Sequence, residues 1–324
     1  MKQIIGIGNA LVDVLTLIND DQILERFFLP KGSMTLVDGD MSRLIKAETR
    51  DLKSTLLSGG SAANTIHGLA MLGIETGFIG SVGKDETGDF FERDMKEAGV
   101  RTMLLRRNSP TGTAVALISR DSERTFGTHL GAAVELDAGD LSPEMFEGYH
   151  ILYLEGYLIY NLGLVETACR MAKESGMIVA LDLASYNVVE ANLHGFRKIT
   201  EHYIDILFAN ADEAKAYTGM EPEKALDYFS EVVETAVVKV GAEGSWLKRG
   251  EERYKVPALP VGCRDTTGAG DLYASGFLYG YAHGADLKKC GVIGSLLAGR
   301  VIEIVGARLD EKVFSEVKKQ LEEL

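Results

Sequence analysis

Four short apolar runs, at 151–154, 178–181, 206–209 and 236–240, alternate with segments that suit helices. Runs that are apolar at every position belong to strands buried on both faces. Helices between consecutive strands force parallel crossovers, so the spacing predicts a parallel sheet built from βαβ units. The run at 4–7 ends in Gly-x-Gly-Asn and predicts a further buried strand that leads into a loop.

The first half is less regular. Residues 21–30 suit a helix and 33–37 a strand, while 61–72 carry small and apolar residues at helical spacing up to Gly73. A strand is expected at 77–82 and a helix at 89–98, stopped by Gly99. The stretch 114–118, a turn at Arg120-Asp121-Ser122 and then Arg124-Thr125-Phe126 predict a β-hairpin. From Asp271 onward the chain suits helices. It shows no linker, internal repeat or low-complexity tract, so sequence marks no clean domain boundary.

At 324 residues the chain is long enough for one large α/β domain with a smaller appendage. A net charge of −14 argues against a surface made for polynucleotide phosphates, but not against a nucleotide met by Mg²⁺ and backbone amides. The six histidines lack metal-ligand spacing. Cys169, Cys263 and Cys290 are too few and too scattered for a disulfide framework, which suits reduced thiols in a cytoplasm. Asn9 and Asp13 interrupt the apolar start before any signal-peptide core, and no run reaches the ~18 apolar residues of a membrane span. The expectation is a soluble, cytoplasmic protein that engages neither membrane nor nucleic acid.

The chemistry concentrates in Asp265-Thr266-Thr267-Gly268-Ala269-Gly270-Asp271, which runs into an apolar, helix-compatible segment. A glycine-rich turn opening a helix aims unpaired amides and the positive end of the helix dipole at one spot, where an anion is stabilised. Asp271, in the first turn, can then touch whatever attacks that anion. By itself the run also suits an ordinary loop capped by Asp265 or Asp271. Other nucleotide motifs fail. At Gly83-Lys84 the residue after the lysine is Asp85, and Phe78 stands where a Walker A loop needs its first glycine. After Gly6-x-Gly8, Leu11 replaces the third glycine of a dinucleotide fingerprint, and no Gly-x-Ser-x-Gly elbow occurs.

Residues 265–278 resemble the C-terminal signature of the PfkB family of carbohydrate kinases, which have the ribokinase-like fold. Gly59-Gly60-Ser61-Ala62-Ala63-Asn64, running on to Gly73, resembles the N-terminal signature; Gly80-Ser81-Val82-Gly83-Lys84-Asp85 with Gly88 also fits. Asn210-Ala211-Asp212-Glu213 is similar to the family's Asn-x-x-Glu magnesium motif. The resemblance implies a three-layer, doubly wound α/β core of residues 1–13, 49–99 and 131–324. Residues 14–48 and 100–130 would form a small β-sheet lid.

The same resemblance implies the roles. Asp271 would be the base that takes the acceptor's proton, and the amides of Gly268, Ala269 and Gly270 the anion hole. Glu213 and Asn210 would organise Mg²⁺, directly or through water; read on their own, they equally suit a helix cap. Asp13, Gly59, Gly60, Asn64 and Glu155 would face the acceptor. Lys239, Gly241 and Gly244 resemble the loop on the ATP side, and Asp265 with Thr267 stands where several members hold a monovalent cation, so a K⁺ site is a further expectation. Arg124 and Phe126 lie in the expected lid hairpin.

The opening 8–13, the stretch 153–157 and the hairpin 124–131 look more like the adenosine kinase branch than like ribokinases, which tend to carry Lys where Ser61 stands. The expected acceptor is a nucleoside resembling adenosine, with Phe126, Tyr157 and Tyr186 as candidate base contacts. Fructose, ribose or ketodeoxygluconate is the alternative. A non-catalytic binding module on the same fold is the reading from another class. An exposed lid face would also invite a homodimer.

Overall fold

The computed structural model describes residues 2–120 and 123–324. Its larger sheet has nine strands among the described residues. Seven run parallel in the spatial order β6 (Val100–Arg107), β5 (Thr76–Gly83), β1 (Ile4–Ile7), β9 (Ile151–Glu155), β10 (Ile178–Asp182), β11 (Ile206–Asn210) and β12 (Thr235–Lys239). The antiparallel strands β13 (Ser245–Arg249) and β14 (Glu252–Val256) finish one edge. All four runs singled out at 151–240 are therefore strands of one sheet, and the 4–7 run lies between β5 and β9 in the same sheet.

Both faces of its inner strands are covered, which is why the runs at 4–7, 151–154, 178–181 and 206–209 carry no charged position. Along β9, Leu152 and Leu154 enter one core with the helices Leu162–Glu174, Leu193–Tyr203 and Pro222–Val232. Ile151 and Tyr153 enter the other, with the helices Ser61–Met71, Ala269–Ala282 and Leu287–Ile302. Phe208 on β11 meets Phe277 edge-on at 5.2 Å, a contact worth ~1 kcal/mol beyond the area it buries. That packing pins the Ala269–Ala282 helix, and with it Asp271, over the sheet. Among the described residues no helix is long and apolar enough to cross a membrane.

The second sheet has five strands in the order β3 (Met34–Leu36), β8 (Arg124–His129), β7 (Gly112–Ile118), β2 (Leu11–Leu17) and β4 (Ser54–Gly59). One face rests on a core of Ile18, Leu24, Leu29, Ile45, Val115 and Leu117, shared with the helix Gly39–Thr49. The other turns towards the ends of the large sheet and carries Asp13.

The lid bounds expected from sequence need correction. Residues 100–107 are not lid: they form β6, paired in parallel with β5 after the helix Glu86–Glu97, so they close a βαβ unit of the core. Residues 54–59, expected in the core, pair with β2 in the small sheet, which begins at Leu11. The loop expected after β1 is the short connection at 8–10, which leads straight into β2. The predicted hairpin is β7–β8; Asp121 and Ser122 of its turn lie outside the described residues. The expected helix at 21–30 is reduced to Gln22–Arg26.

Candidate active site

The Asp265–Asp271 run folds as a turn that opens a helix. Gly268 caps the Ala269–Ala282 helix in the left-handed region at φ 76°, and a Cβ there would lie 2.5 Å from that of Ala307, so only glycine fits. The Ala269 amide closes the turn on the Thr266 carbonyl at 3.1 Å. Of the three amides expected to face an anion, those of Gly268 and Gly270 make no such closing bond. Lys239, at the end of β12, places Nζ 3.2 Å from where a Cβ of Gly270 would stand, so an ammonium lies over the turn.

Asp271 is gripped by the other glycine-led helix. Ser61 Oγ donates to its Oδ1 at 2.7 Å and Asn64 Nδ2 to its Oδ2 at 2.9 Å, while Thr65 Oγ1 holds its backbone carbonyl at 3.1 Å. Burial pushes its carboxyl up to about 6; Ser61 and Asn64 pull it down, Asp182 pushes it up and Lys239 pulls it down. A base poised near neutrality suits removal of an alcohol proton. Asn64 Oδ1 is buried with no partner, an acceptor free for a hydroxyl donor.

Asp13 projects from β2 towards the same cleft. A Cβ on Gly59 would collide with its carboxylate, so that glycine makes the room, and Gly60 turns the chain into the helix at φ 99°. Burial pushes Asp13 up to about 6; Arg308 pulls it down, Asp271 pushes it up and Arg124 pulls it down. Arg308 donates to Ser58 through Nε (carbonyl, 3.0 Å) and Nη2 (Oγ, 2.7 Å), which locks β4 to the segment between the helices Leu287–Ile302 and Glu311–Glu323.

Glu155, expected to face the acceptor, is buried against the chain's own amides. It is 1% exposed and fully engaged: Asn9 donates its amide (3.0 Å) and Nδ2 (2.6 Å) to Oε1, and the Ala62 amide donates to Oε2 at 2.8 Å. Burial pushes it up to about 7 against those three bonds. It ties the β1–β2 connection to the Ser61–Met71 helix start and leaves almost no surface open to a ligand.

On the other side of Asp271, Lys239 Nζ bonds Asp182 Oδ2 at 2.6 Å. Asn210 and Glu213 form a reciprocal cap. Asn210 Oδ1 accepts from the Glu213 amide at 2.9 Å, and Glu213 accepts from the Asn210 amide (2.7 Å) and Nδ2 (2.6 Å). The capping arrangement is thus realised, yet Glu213 is buried beside a second carboxylate. Burial raises its pKa, Asp182 raises it further and Lys239 lowers it. Two hard oxygen donors sharing one ammonium leave net negative charge, and each Glu213 oxygen already accepts one bond from Asn210. The set fits a hydrated Mg²⁺ held through its waters, not a stripped ion. Gly241 (φ 57°) and Gly244 (φ 95°) shape the β12–β13 connection next to Lys239.

K⁺ does not fit Asp265 and Thr267. Asp265 Oδ1 accepts from the Thr267 amide (3.1 Å) and Oγ1 (2.8 Å), and Oδ2 accepts from the Gly306 amide (2.7 Å) and Arg124 Nη1 (2.8 Å). A guanidinium from the lid stands against that carboxylate.

A cavity of 430 Å³ opens at the junction of lid and core, lined by Leu36, Val37, Pro110, Thr128, Leu130 and Val134 among others. It lies on a register line through Asp13: Asp13 pairs with Ala114, Ala114 with Thr128, and Thr128 with Leu36. Such partners share a face, so the apolar lining begins two to three strands, ~10–14 Å, from the carboxylate. Phe126 sits half-buried on that face. Tyr157 lies near Glu155, whose charge adds to burial in raising its pKa, and Tyr186 is exposed at the start of the helix Tyr186–Ala191.

Ser61, Asp182 and Arg308 went unnoticed as site residues in the sequence. Asp182 was findable, since it ends a buried strand at the same edge as Glu155 and Asn210. Ser61 lies inside a quoted signature, and Arg308 carries no local signal.

Residues 46–312 match the pfkB family carbohydrate kinase profile. An uncharacterized sugar kinase of Archaeoglobus fulgidus is 30% identical over 248 residues, 74% of this chain and 96% of that protein. A probable sugar kinase of Rhizobium etli superposes with a TM-score of 0.89 at 32% identity, covering 100% of this chain and 99% of the other. The adenosine kinase of Sinorhizobium meliloti superposes with a TM-score of 0.88 at 34% identity, covering 98% and 99%. With Asp271 buried against a glycine-led helix start and these matches spanning the chain, the protein belongs to the pfkB family of carbohydrate kinases, phosphotransferases that act on an alcohol group of a sugar or nucleoside.

Proposed function

We propose that this kinase transfers the γ-phosphoryl group of ATP to the primary hydroxyl of a nucleoside. The observation that carries the choice of acceptor is the apolar cavity in register with Asp13. A ribose held at Asp13 and Asn64 would send its base along the lid face towards Leu36 and Leu130. Similarity to the Sinorhizobium adenosine kinase supports this reading.

The chemistry follows from the cleft. Asp13 accepts hydrogen bonds from neighbouring ribose hydroxyls and the free Asn64 Oδ1 accepts another, which discriminates against analogues that lack them. Asp271 takes the proton of the attacking hydroxyl, whose oxygen forms the new bond to phosphorus while the bond from phosphorus to the β-phosphate oxygen breaks and ADP leaves. Ser61 and Asn64 hold the carboxylate in line for that transfer. The Gly268 and Gly270 amides, with the helix dipole, meet the charge that develops on the transferred group, each donor contributing ~3 kcal/mol. Lys239 adds a fixed positive charge beside them, and Gly241 and Gly244 border the nucleotide. Mg²⁺, held through water by Asp182 and Glu213, would neutralise phosphate charge. Glu155 is a positioning residue.

The test is ADP release with Mg·ATP against adenosine, inosine, cytidine, ribose, fructose and ketodeoxygluconate, with Asp271→Asn as control. Turnover on a nucleoside that the substitution abolishes supports the proposal; turnover on a sugar alone favours the second reading, to which the similar sugar kinases point. Binding of a nucleoside without ADP release would mean a binding module. A homodimer through the lid belongs to the same proposal, because Leu17, Met34 and Leu36 leave one sheet face exposed and apolar. A monomer in sedimentation at micromolar concentration would sink it.

A further inference from the structure

Asp265 is bonded at every position a carboxylate offers. An ionised carboxylate has about four lone-pair sites. The Thr267 amide and hydroxyl fill those of Oδ1, and the Gly306 amide and Arg124 Nη1 fill those of Oδ2. The ion pair is also withdrawn from water, the two side chains being 7% and 9% exposed. The same Arg124 nitrogen lies 3.4 Å from Thr267 Oγ1, so it addresses both residues of the turn that a monovalent cation would use.

We infer that Arg124 is a built-in replacement for a monovalent cation at Asp265, so that phosphoryl transfer by this chain does not depend on K⁺. Three observations carry it. No acceptor position on Asp265 remains for an ion. An incoming cation would lie within a few ångströms of a guanidinium, where little water screens the repulsion. Arginine stays protonated throughout the working pH range, so it cannot yield the place by losing a proton.

The arrangement has a structural consequence. Arg124 begins β8 of the lid, whereas Asp265 opens the anion turn of the core. The charge that compensates Asp265 and steadies the turn up to Gly268 therefore arrives with the lid. A free ion would act in any lid position; a tethered guanidinium acts only when the lid is down. Arg124 is in this sense a positioning residue for the Gly268 and Gly270 amides.

The experiment compares KCl with tetramethylammonium chloride at fixed ionic strength, using the intact protein and Arg124→Gln. Two quantities are read: the rate of ADP release and the melting temperature. The unaltered protein should change in rate by less than about twofold and show no K⁺-specific shift in melting. In Arg124→Gln the carboxylate is free. The rate without K⁺ should fall at least about tenfold and recover saturably with K⁺, and K⁺ alone should raise the melting temperature, as any ligand of the native state does. Arg124→Lys, which restores a charge, should again be insensitive to K⁺.

Saturable activation of the unaltered protein by more than about threefold would overturn the inference, because ion strength alone is held fixed. So would an Arg124→Gln variant whose melting ignores K⁺. The rate arm rests on the kinase reading, but the melting arm needs no substrate. An acceptor panel without turnover would therefore count against the kinase reading and leave the ion result to stand or fall separately. If Arg124→Gln folds poorly, Arg124→Met in the melting assay serves the same purpose.

Discussion

Two helices of this protein begin in the same manner and are used differently. Both Ser61–Met71 and Ala269–Ala282 follow a glycine with positive φ, and both present amides and a positive dipole end to the cleft. At the first, that end is already satisfied by a resident anion: Glu155 accepts the Ala62 amide at 2.8 Å and is sealed from water. At the second, no resident carboxylate takes the Gly270 amide; an ammonium, Lys239, waits above it instead. A helix start with its own carboxylate is architecture, and one facing a cation across open space is a place for a ligand's negative charge.

The sharpest way to break this contrast is at the carboxylate between the two helices. Asp271→Asn should reduce turnover by at least roughly a hundredfold while leaving acceptor affinity within a few-fold, because the base is lost but the Ser61 and Asn64 contacts persist. The pH profile of kcat/KM for the unaltered enzyme should fall as pH drops through about 6, the value to which Asp271 is raised in the ligand-free protein.

Gly59→Ala comes next. The added Cβ would drive the Asp13 carboxylate out of its place, so KM for the acceptor should rise ~10-fold with little change in KM for ATP. Equal rises in both constants would mean that the cleft as a whole had shifted.

The resident-anion helix makes a prediction of opposite sign to the usual carboxylate case. Asp13 and Asp271 are raised from 3.8 to about 6, and Glu155 from 4.5 to about 7. A carboxyl raised on folding binds its proton more tightly in the native state. Its contribution is complete below the unfolded value and is lost as pH climbs through the folded one. These three groups should therefore lower the melting temperature of the ligand-free protein between about pH 4 and 7, and Glu155→Gln should flatten that slope. Burial lowers the pKa of His67 and His129 and works in the opposite direction, so the difference between variants decides: a Glu155→Gln slope no flatter than that of the unaltered protein would refute the burial argument.

The smallest effect is expected at Arg308. Arg308→Gln removes a positive neighbour of Asp13, so the acid limb of kcat/KM should move to higher pH and acceptor KM should rise ~3-fold. Arg308→Lys should restore most of both, which a purely structural role through Ser58 would not.

Some of this was legible from residues alone. The runs at 151–240 announced their strands because burial on both faces leaves no charged position in them except Lys239, at the very end of β12. Gly268 marked the anion turn because a left-handed helix cap at a close approach needs glycine. Other features were not legible. Val100–Arg107 and Ser54–Gly59 were assigned to the wrong sheets, since each suits a strand in either and only pairing decides. The β13–β14 hairpin gave too little alternation to be noticed, with half of its residues charged and one face open to water.

The amino-acid sequence by itself determined the parallel core, the two glycine-led helix starts and the placing of carboxylates at strand ends. These depend on backbone conformation and burial within a few residues. Tertiary structure decided the partners. Glu155 met Asn9 and Ala62 across 146 and 93 residues, and Asp271 met Ser61 across 210. Asp265 met a lid arginine where an ion was expected. A carboxylate accepts from any donor that arrives, and which donor arrives is settled by how distant elements pack.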